Sequence, residues 1–146
     1  MKKFKFRFEA VHKHREIIEN AKLQEFARIQ GELAACDVRI VSLRAECNNT
    51  MNSRPLTIDV EDIPRRERYI DTLRVQIANE ERLKEGLIAR VEDARLALIA
   101  ARQAREALDR IRQADEKEYM QHAALVEQNM LDEISTQRYQ RAAEAQ

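Results

Sequence analysis

The side chains best suited to metal binding or nucleophilic chemistry in this sequence are two cysteines and three histidines. Cys36 and Cys47 lie roughly 16 Å apart along a single helix, which is too far for a disulfide between them. His12 and His14 would point from different faces of a helix, His122 is remote, and no pair has the i, i+4 spacing of a helical metal site. We therefore expect no metal site, and two reduced thiols buried as small apolar side chains.

Other kinds of catalytic site are also disfavoured. Carboxylates are abundant, but in a chain with 36% charged residues they are expected on the solvated faces of helices. Without a pocket, nothing would shift their pKa values or exclude water. Two glycines are too few for a phosphate-binding loop or a nucleophile elbow. We expect neither an enzyme nor a cofactor.

The composition and the placement of proline predict the elements that hold these side chains. Residues with high helix propensity dominate the 146 positions, and aromatic residues make up only 5% of them. Both prolines, Pro55 and Pro64, lie in one short stretch, which leaves room for two helices and one break. The predicted fold class is all-α: a long antiparallel two-helix coiled coil, or helical hairpin, forming one elongated domain over residues 1–146.

The first helix is predicted over about residues 8–48. Its strongest signal is a series of apolar side chains at alternating three- and four-residue steps, the spacing of a coiled-coil seam. Upstream the signal is weaker: Phe8, Val11 and Ile18 fit a stripe, but Arg15 and Lys22 interrupt it. The predicted seam residues of this helix are Ile29, Leu33, Cys36, Ile40, Leu43 and Cys47.

A loop is predicted over about residues 49–63, because several side chains there favour turns and caps. Residues 56–60 alternate apolar and polar, but a single short strand has no partner, so an extended connector is expected. Asp59 or Asp62 is expected to cap the second helix, with Pro64 in its first turn. The loop-favouring residues are Asn48, Asn49, Thr50, Asn52, Ser53 and Pro55.

The second helix is predicted over about residues 64–141 and is the longer of the two. Glu80, Lys84 and Arg105 interrupt its seam, and we interpret them as places of weak packing near which a partner binds. Antiparallel pairing would bring the start of the first helix near Leu108 and leave the rest of the second without a partner in the chain. The predicted seam residues here are Ile70, Leu73, Ile77, Leu87, Val91 and Leu98.

The unpaired end of the second helix carries a loose set of apolar side chains, available to another protein. A frayed, solvated end is the alternative. This set consists of Tyr119, Met120, Ala123, Leu125, Val126, Met130, Leu131 and Ile134.

Charge limits the classes of partner. The chain carries 26 basic and 26 acidic residues, so no overall field would draw it to nucleic acid or to an anionic membrane. No apolar stretch has the length of a signal peptide or a membrane span, and we expect a cytoplasmic protein. The basic start interleaves lysine and arginine with Phe4, Phe6 and Phe8. This segment either folds back onto the helices or docks in an apolar groove of a partner.

The two ends of the chain resemble the FliJ family, the coiled-coil proteins of the flagellar type III export apparatus. The opening carries the resemblance through Phe4, Phe6, Phe8, Val11 and Arg15. The far end is similar to the closing helix of the family through Arg105, Leu108, Tyr119, Glu127, Gln128, Leu131, Asp132 and Glu133.

The resemblance implies a non-catalytic, two-helix rod similar to the coiled coil of the rotary ATPase γ subunit. Such a rod would act as a central stalk that binds and stimulates the hexameric flagellar export ATPase, at the cytoplasmic face of the flagellar base. It would also contact the export gate membrane protein, here around Leu56–Leu73, and the export chaperones. The residues that the resemblance assigns to the ATPase-facing end are Phe4, Phe6, Phe8, Val11, Arg15, Glu127, Leu131 and Glu133.

Two other functions are compatible with the residues. One is a generic coiled-coil adaptor or chaperone that binds amphipathic helices and has no ATPase partner. The other is a coiled coil that binds nucleic acid, whose affinity would fall steeply with added salt. Mixed seam positions also leave a monomeric hairpin and a weakly self-associated pair both open.

Overall fold

The protein is all-α. The computed structural model describes residues 3–53 and 62–144, with side chains up to Arg141. It contains two helices, α1 (Glu9–Asn52) and α2 (Asp62–Glu144), and no strand among the described residues. The two helices pack against each other, which confirms the predicted all-α helical hairpin with a longer second helix. Pro55 and the connector predicted at residues 56–60 lie outside the described residues.

The first helix continues further than the sequence pattern suggested, through Asn48 and Asn49 to Asn52. Two of the polar side chains expected to end it instead hydrogen-bond to carbonyls of its last turns. The Thr50 hydroxyl donates to the carbonyl of Glu46 at 2.8 Å, and the Ser53 hydroxyl donates to the carbonyl of Thr50 at 3.1 Å. From α2, Arg66 donates to the carbonyls of Thr50 and Met51, two acceptors that have no partner inside the helix. A side chain of the second helix therefore caps the first.

The start of α2 follows from local chemistry. Asp62 is its first residue and places a carboxylate in the first turn, where the helix dipole favours negative charge. Pro64 also lies in this turn, where a missing backbone N–H leaves no hydrogen bond unmade. Among the described residues, no helix has an apolar stretch long enough to cross a membrane.

The chain divides into two compact units. The terminal unit contains the chain up to Ile18 together with the residues from Arg102 onward, and the central unit is Glu19–Ala101. Cross-helix pairs in the central unit show that its helices run antiparallel, because residue numbers rise along α1 as they fall along α2. The pairs are Glu32 with Arg90 at 3.4 Å, Asp37 with Lys84 at 2.7 Å and Arg44 with Glu81 at 2.5 Å.

The central unit is held together by a narrow apolar core between its helices. Ile29, Cys36, Ile40, Leu87 and Ala94 form one buried cluster, against which Phe26, Leu33 and Val91 pack. Every one of the twelve predicted seam residues is buried or partly buried. Each Å² of apolar surface that this seam removes from water stabilises the unit by about 25 cal/mol.

The polar residues that interrupt the seam of α2 are paired within the chain. The carboxylate of Glu80 accepts a hydrogen bond from Arg39 at 3.1 Å, and the ammonium group of Lys84 lies 2.7 Å from Asp37. The interpretation of these positions as weak packing open to a partner is therefore wrong for Glu80 and Lys84. Their charges reach across to α1, where they favour one register of the two helices.

Candidate interaction surface

The aromatic start of the chain packs onto α2 within the terminal unit. The ring of Phe4 lies 5.6 Å from the ring of Tyr119, and Phe6 and Phe8 make an edge-on contact at 5.8 Å. The guanidinium of Arg112 lies 5.9 Å from the centre of the Phe6 ring. Phe6 is buried, and Phe4 and Phe8 are half-buried. The aromatic start therefore folds back onto the helices, which is one of the two arrangements that the sequence allows.

Ion pairs reinforce this contact. Arg7 lies 3.6 Å from the carboxylate of Asp115, and Glu9 lies 3.6 Å from Arg112. The guanidinium of Arg7 also lies 4.7 Å from the centre of the Phe8 ring, within the range of a cation–π interaction. Both ion pairs are partly exposed, and each contributes on the order of 0–1 kcal/mol. Together they align this segment with residues 112–119 of α2.

His12 is a buried polar residue of the terminal unit and is only 6% exposed. Its Nε2 lies 2.6 Å from the carboxylate of Asp109, and its Nδ1 lies 3.6 Å from that of Glu16. Because a carboxylate only accepts, the histidine must donate from Nε2 to Asp109. Arg105 also donates to Asp109. These contacts give His12, a polar side chain at a seam position, its hydrogen-bond partner. They also show that Arg105, like Glu80, has a partner within the chain.

The sequence pattern predicts Val11, rather than His12, in the apolar stripe of α1, and this prediction is wrong. Val11 is 45% exposed, whereas His12 is buried. The alternating spacing, continued backwards from Ile29, passes through Phe26 and reaches His12 and then Phe8. The sequence therefore contains the three- and four-residue spacing that leads to His12, but polar residues between Phe26 and His12 interrupt its apolar pattern.

The structure gives the predicted ATPase-facing residues two different environments. The three phenylalanines are packed within the terminal unit, as described above. The other five are exposed to solvent and available for contact. Whether any of the eight binds a partner stays a prediction. The exposed ones are Val11, Arg15, Glu127, Leu131 and Glu133.

The part of α2 beyond Tyr119 carries most of the exposed large apolar side chains described in the terminal unit. From Met120 to Arg141 every side chain is exposed except that of Ala123, which is half-buried. Large apolar side chains are included, with Met120 at 59% and Leu131 at 58% exposure. A series of exposed apolar residues on one helix is typical of a protein-binding surface.

The described part of the predicted gate-binding region is residues 62–73. An open groove lies at this end of the central unit. The hydroxyl of Tyr69 donates to the carboxylate of Glu46, and this hydrogen bond raises the pKa of the tyrosine, with a further contribution from burial. The groove is lined by Thr50, Ser53, Asp62, Arg65, Arg66 and Tyr69.

The two cysteines are free and buried, as expected from their seam positions. The sulfur of Cys36 lies 3.4 Å from both the backbone carbonyl and the carboxylate of Glu80. Burial raises the pKa of the Cys36 thiol, and the nearby carboxylate raises it further. A protonated, buried thiol is a poor nucleophile. Among the described residues, no group of three or more His, Cys, Asp or Glu side chains is arranged to hold a metal ion.

The fold and these surfaces define a helical-hairpin coiled coil whose chemistry is suited to binding other proteins. A family model described as the flagellar FliJ protein matches residues 4–144, nearly the whole chain. The chain therefore belongs to the FliJ family and is a component of the flagellar export apparatus. The comparisons with curated proteins and with solved structures gave no match.

Proposed function

We propose that this protein is a non-catalytic stalk that binds and stimulates the hexameric flagellar export ATPase through its terminal unit. The observation that carries the proposal is the match to the FliJ family over residues 4–144, together with the exposed side chains at both ends of the sequence. In this proposal the ATPase supplies the chemistry, and this chain supplies an asymmetric helical surface that distinguishes one ring subunit from the next.

Within this proposal the eight candidate residues have two different tasks. Phe4, Phe6 and Phe8 hold the start of the chain against α2, and thereby position the first turns of α1. The exposed side chains of Val11 and Arg15, and those of Glu127, Leu131 and Glu133 on α2, would make the direct contacts with the ring. This division follows from burial, because a side chain already packed within the chain offers little surface to a partner.

The same family membership supports two further contacts at the cytoplasmic face of the flagellar base. The export gate membrane protein would contact the chain near the loop, where Arg65, Arg66 and Tyr69 line the open groove. Export chaperones would bind elsewhere on the helical surface.

The direct test is to mix the purified protein with the purified export ATPase and to measure hydrolysis and ring assembly. We expect the wild-type chain to raise both. Arg15→Glu and Val11→Asp should reduce the stimulation, because each alters an exposed side chain of the predicted contact. The matched controls are Lys13→Glu and Ile17→Asp, which make the same changes at nearby exposed positions outside the predicted set.

Circular dichroism of each variant would confirm that helix content is unchanged. If the wild-type protein neither binds nor stimulates the ATPase, the proposal is wrong, and the generic helix-binding adaptor becomes the better interpretation. If the controls lose stimulation as strongly as Arg15→Glu and Val11→Asp, the contact is not where we have placed it.

A further inference from the structure

The apolar face of α2 becomes broader beyond Tyr119. Up to that residue, buried or half-buried side chains recur at three- and four-residue steps, through Leu108, Arg112 and Asp115, and the half-buried Ala123 continues this series. A second series at the same spacing begins at Met120, and one residue corresponds to a rotation of about 100° around a helix. The second series therefore lies beside the face of α2 that the aromatic start covers. We call it the tail stripe: Met120, Ala124, Glu127, Leu131, Ile134, Arg138 and Arg141.

The tail stripe is exposed, and its charges have no ion-pair partner among the residues that the structure describes. Leu131 is 58% and Ile134 is 43% exposed. Glu127 and Arg138 have no ion-pair partner among the described residues, although each lies within the apolar series. This contrasts with Glu80 and Arg112, whose charges are paired across the helices. A carboxylate and a guanidinium on one apolar stripe are suited to a partner that brings the opposite charges to the same two places.

A second copy of the chain meets this requirement in an antiparallel arrangement. In antiparallel coiled coils, residues on the two seams face each other in layers, so one matched layer determines all the others. Placing Leu131 opposite Ile134 of the second copy also places Glu127 opposite Arg138 of the second copy, and two-fold symmetry repeats both layers. Moving the register by one heptad in either direction loses this match, because it places Glu127 opposite Leu131, or Ile134 opposite Arg138.

The flanks of the stripe are compatible with close approach of two identical helices. The positions beside the stripe carry no charge, so no like charges would be brought together there. The acidic residue Asp132 lies on the opposite side of α2. The flanking residues are Ala123, Gln128, Met130, Ser135 and Gln137.

We propose that the tail stripe binds the same stripe of a second copy of this chain as an antiparallel coiled coil, with Glu127 paired to Arg138 of the second copy. The interaction concerns the protein without its ATPase and does not depend on the proposed function. Because Glu127 and Leu131 also belong to the predicted ATPase-facing set, self-association and ATPase binding would exclude each other at this surface.

Sedimentation velocity of the full-length protein over a series of concentrations tests the proposal. We expect a monomer–dimer equilibrium for the wild type. Glu127→Arg and Arg138→Glu should each raise the dimer dissociation constant by at least ~tenfold, because each places like charges opposite one another twice. An equimolar mixture of the two variants should recover the dimer, since a mixed pair restores opposite charges at both places.

Asp132→Arg is the matched control, because it makes the same charge change as Glu127→Arg on the opposite side of the helix. It should dimerise like the wild type, and circular dichroism should show equal helix content in all variants. A wild type that stays monomeric throughout would overturn the proposal and assign the stripe to a different protein. Failure of the mixture to recover the dimer, or an equal loss in Asp132→Arg, would also overturn it.

Discussion

The central and terminal units bring α1 and α2 together by different means. In the central unit the seam is apolar, with Ile29, Ile40 and Leu87 among its buried residues, and ion pairs lie at its edges. Among the described residues of the terminal unit, the buried ones are one aromatic and one polar side chain, Phe6 and His12. Apolar burial involves no charge and is not weakened by ionic screening, whereas hydrogen-bonded charges depend on geometry and on ionic strength. The comparison suggests a stable central unit and a terminal unit whose packing is easier to change.

This difference is compatible with the proposed contact between the terminal unit and the export ATPase. Segments that open at low cost in free energy can adapt to a binding surface, whereas a unit with a continuous apolar seam opens only at a higher cost.

Removing a buried side chain from the central seam should have the largest effect. Leu87 is only 4% exposed, so Leu87→Ala should lower the free energy of unfolding by roughly 2–5 kcal/mol. Leu96→Ala is the matched control in the same helix, because Leu96 is 53% exposed, and it should change stability by less than ~0.5 kcal/mol. Urea unfolding followed by circular dichroism measures both. Equal effects would mean that the apolar seam is not what stabilises this unit.

In the terminal unit, replacing the buried histidine should have an intermediate effect. His12→Ala removes the 2.6 Å hydrogen bond to Asp109 and should cost about 1.5–3 kcal/mol, the range for a hydrogen bond to a charged group. The measurement is amide hydrogen exchange over the first turns of α1, because the loss should be local. His14→Ala, at an exposed position, should leave exchange unchanged. Loss of protection in the central unit as well would show that the two units do not open separately.

Alanine in place of either helical glycine should stabilise the central unit by a smaller amount. Gly31 and Gly86 both lie in helices, and a Cβ added at either position would meet nothing within 4 Å. Gly31→Ala and Gly86→Ala should each raise the free energy of unfolding by about 1 kcal/mol, since alanine is the better helix former. The reverse change at an exposed helical position, Ala34→Gly, should lower it by a similar amount in the same urea titration.

Exposed ion pairs of the central unit should contribute least, and their contribution should depend on pH. Two hydrogen bonds from Arg95 hold the pKa of Glu92 below its ordinary value of 4.5. Their stabilising effect should therefore be present above that pH and be lost as the pH falls through the lowered pKa. Glu92→Gln should differ slightly from wild type at neutral pH and converge with it in acid.

Glu85→Gln serves as the control for that pH titration. Glu85 is exposed in the same helix and has no ion-pair partner among the described residues. It should not show the same convergence with wild type in acid. A destabilisation by Glu92→Gln as large as that of Leu87→Ala would contradict the view that the seam outweighs the surface pairs.

The comparison also shows where interpretation of the sequence succeeded. Apolar residues at regular spacing from Ile29 to Cys47 were sufficient to predict the seam of α1. Burial there requires only that each side chain be apolar and lie at the three- and four-residue steps of the seam. In the terminal unit the same spacing continued through polar residues. The pattern then selected Val11, although His12 occupies the buried position. A polar residue at a seam position becomes acceptable only when another element supplies its hydrogen bond, and the distant Asp109 was not identifiable from spacing.

Two helices with an apolar seam follow from the residues alone, because propensity, proline placement and periodicity are local properties of the residues. The pairing of polar side chains depends on the packing of the two helices: Glu80 with Arg39, Lys84 with Asp37, and His12 with Asp109. The same packing places the aromatic start on α2 and allows α1 to continue to Asn52, where Arg66 caps it. These features depend on contacts between residues far apart in the chain, whose energies exist only after the helices have come together.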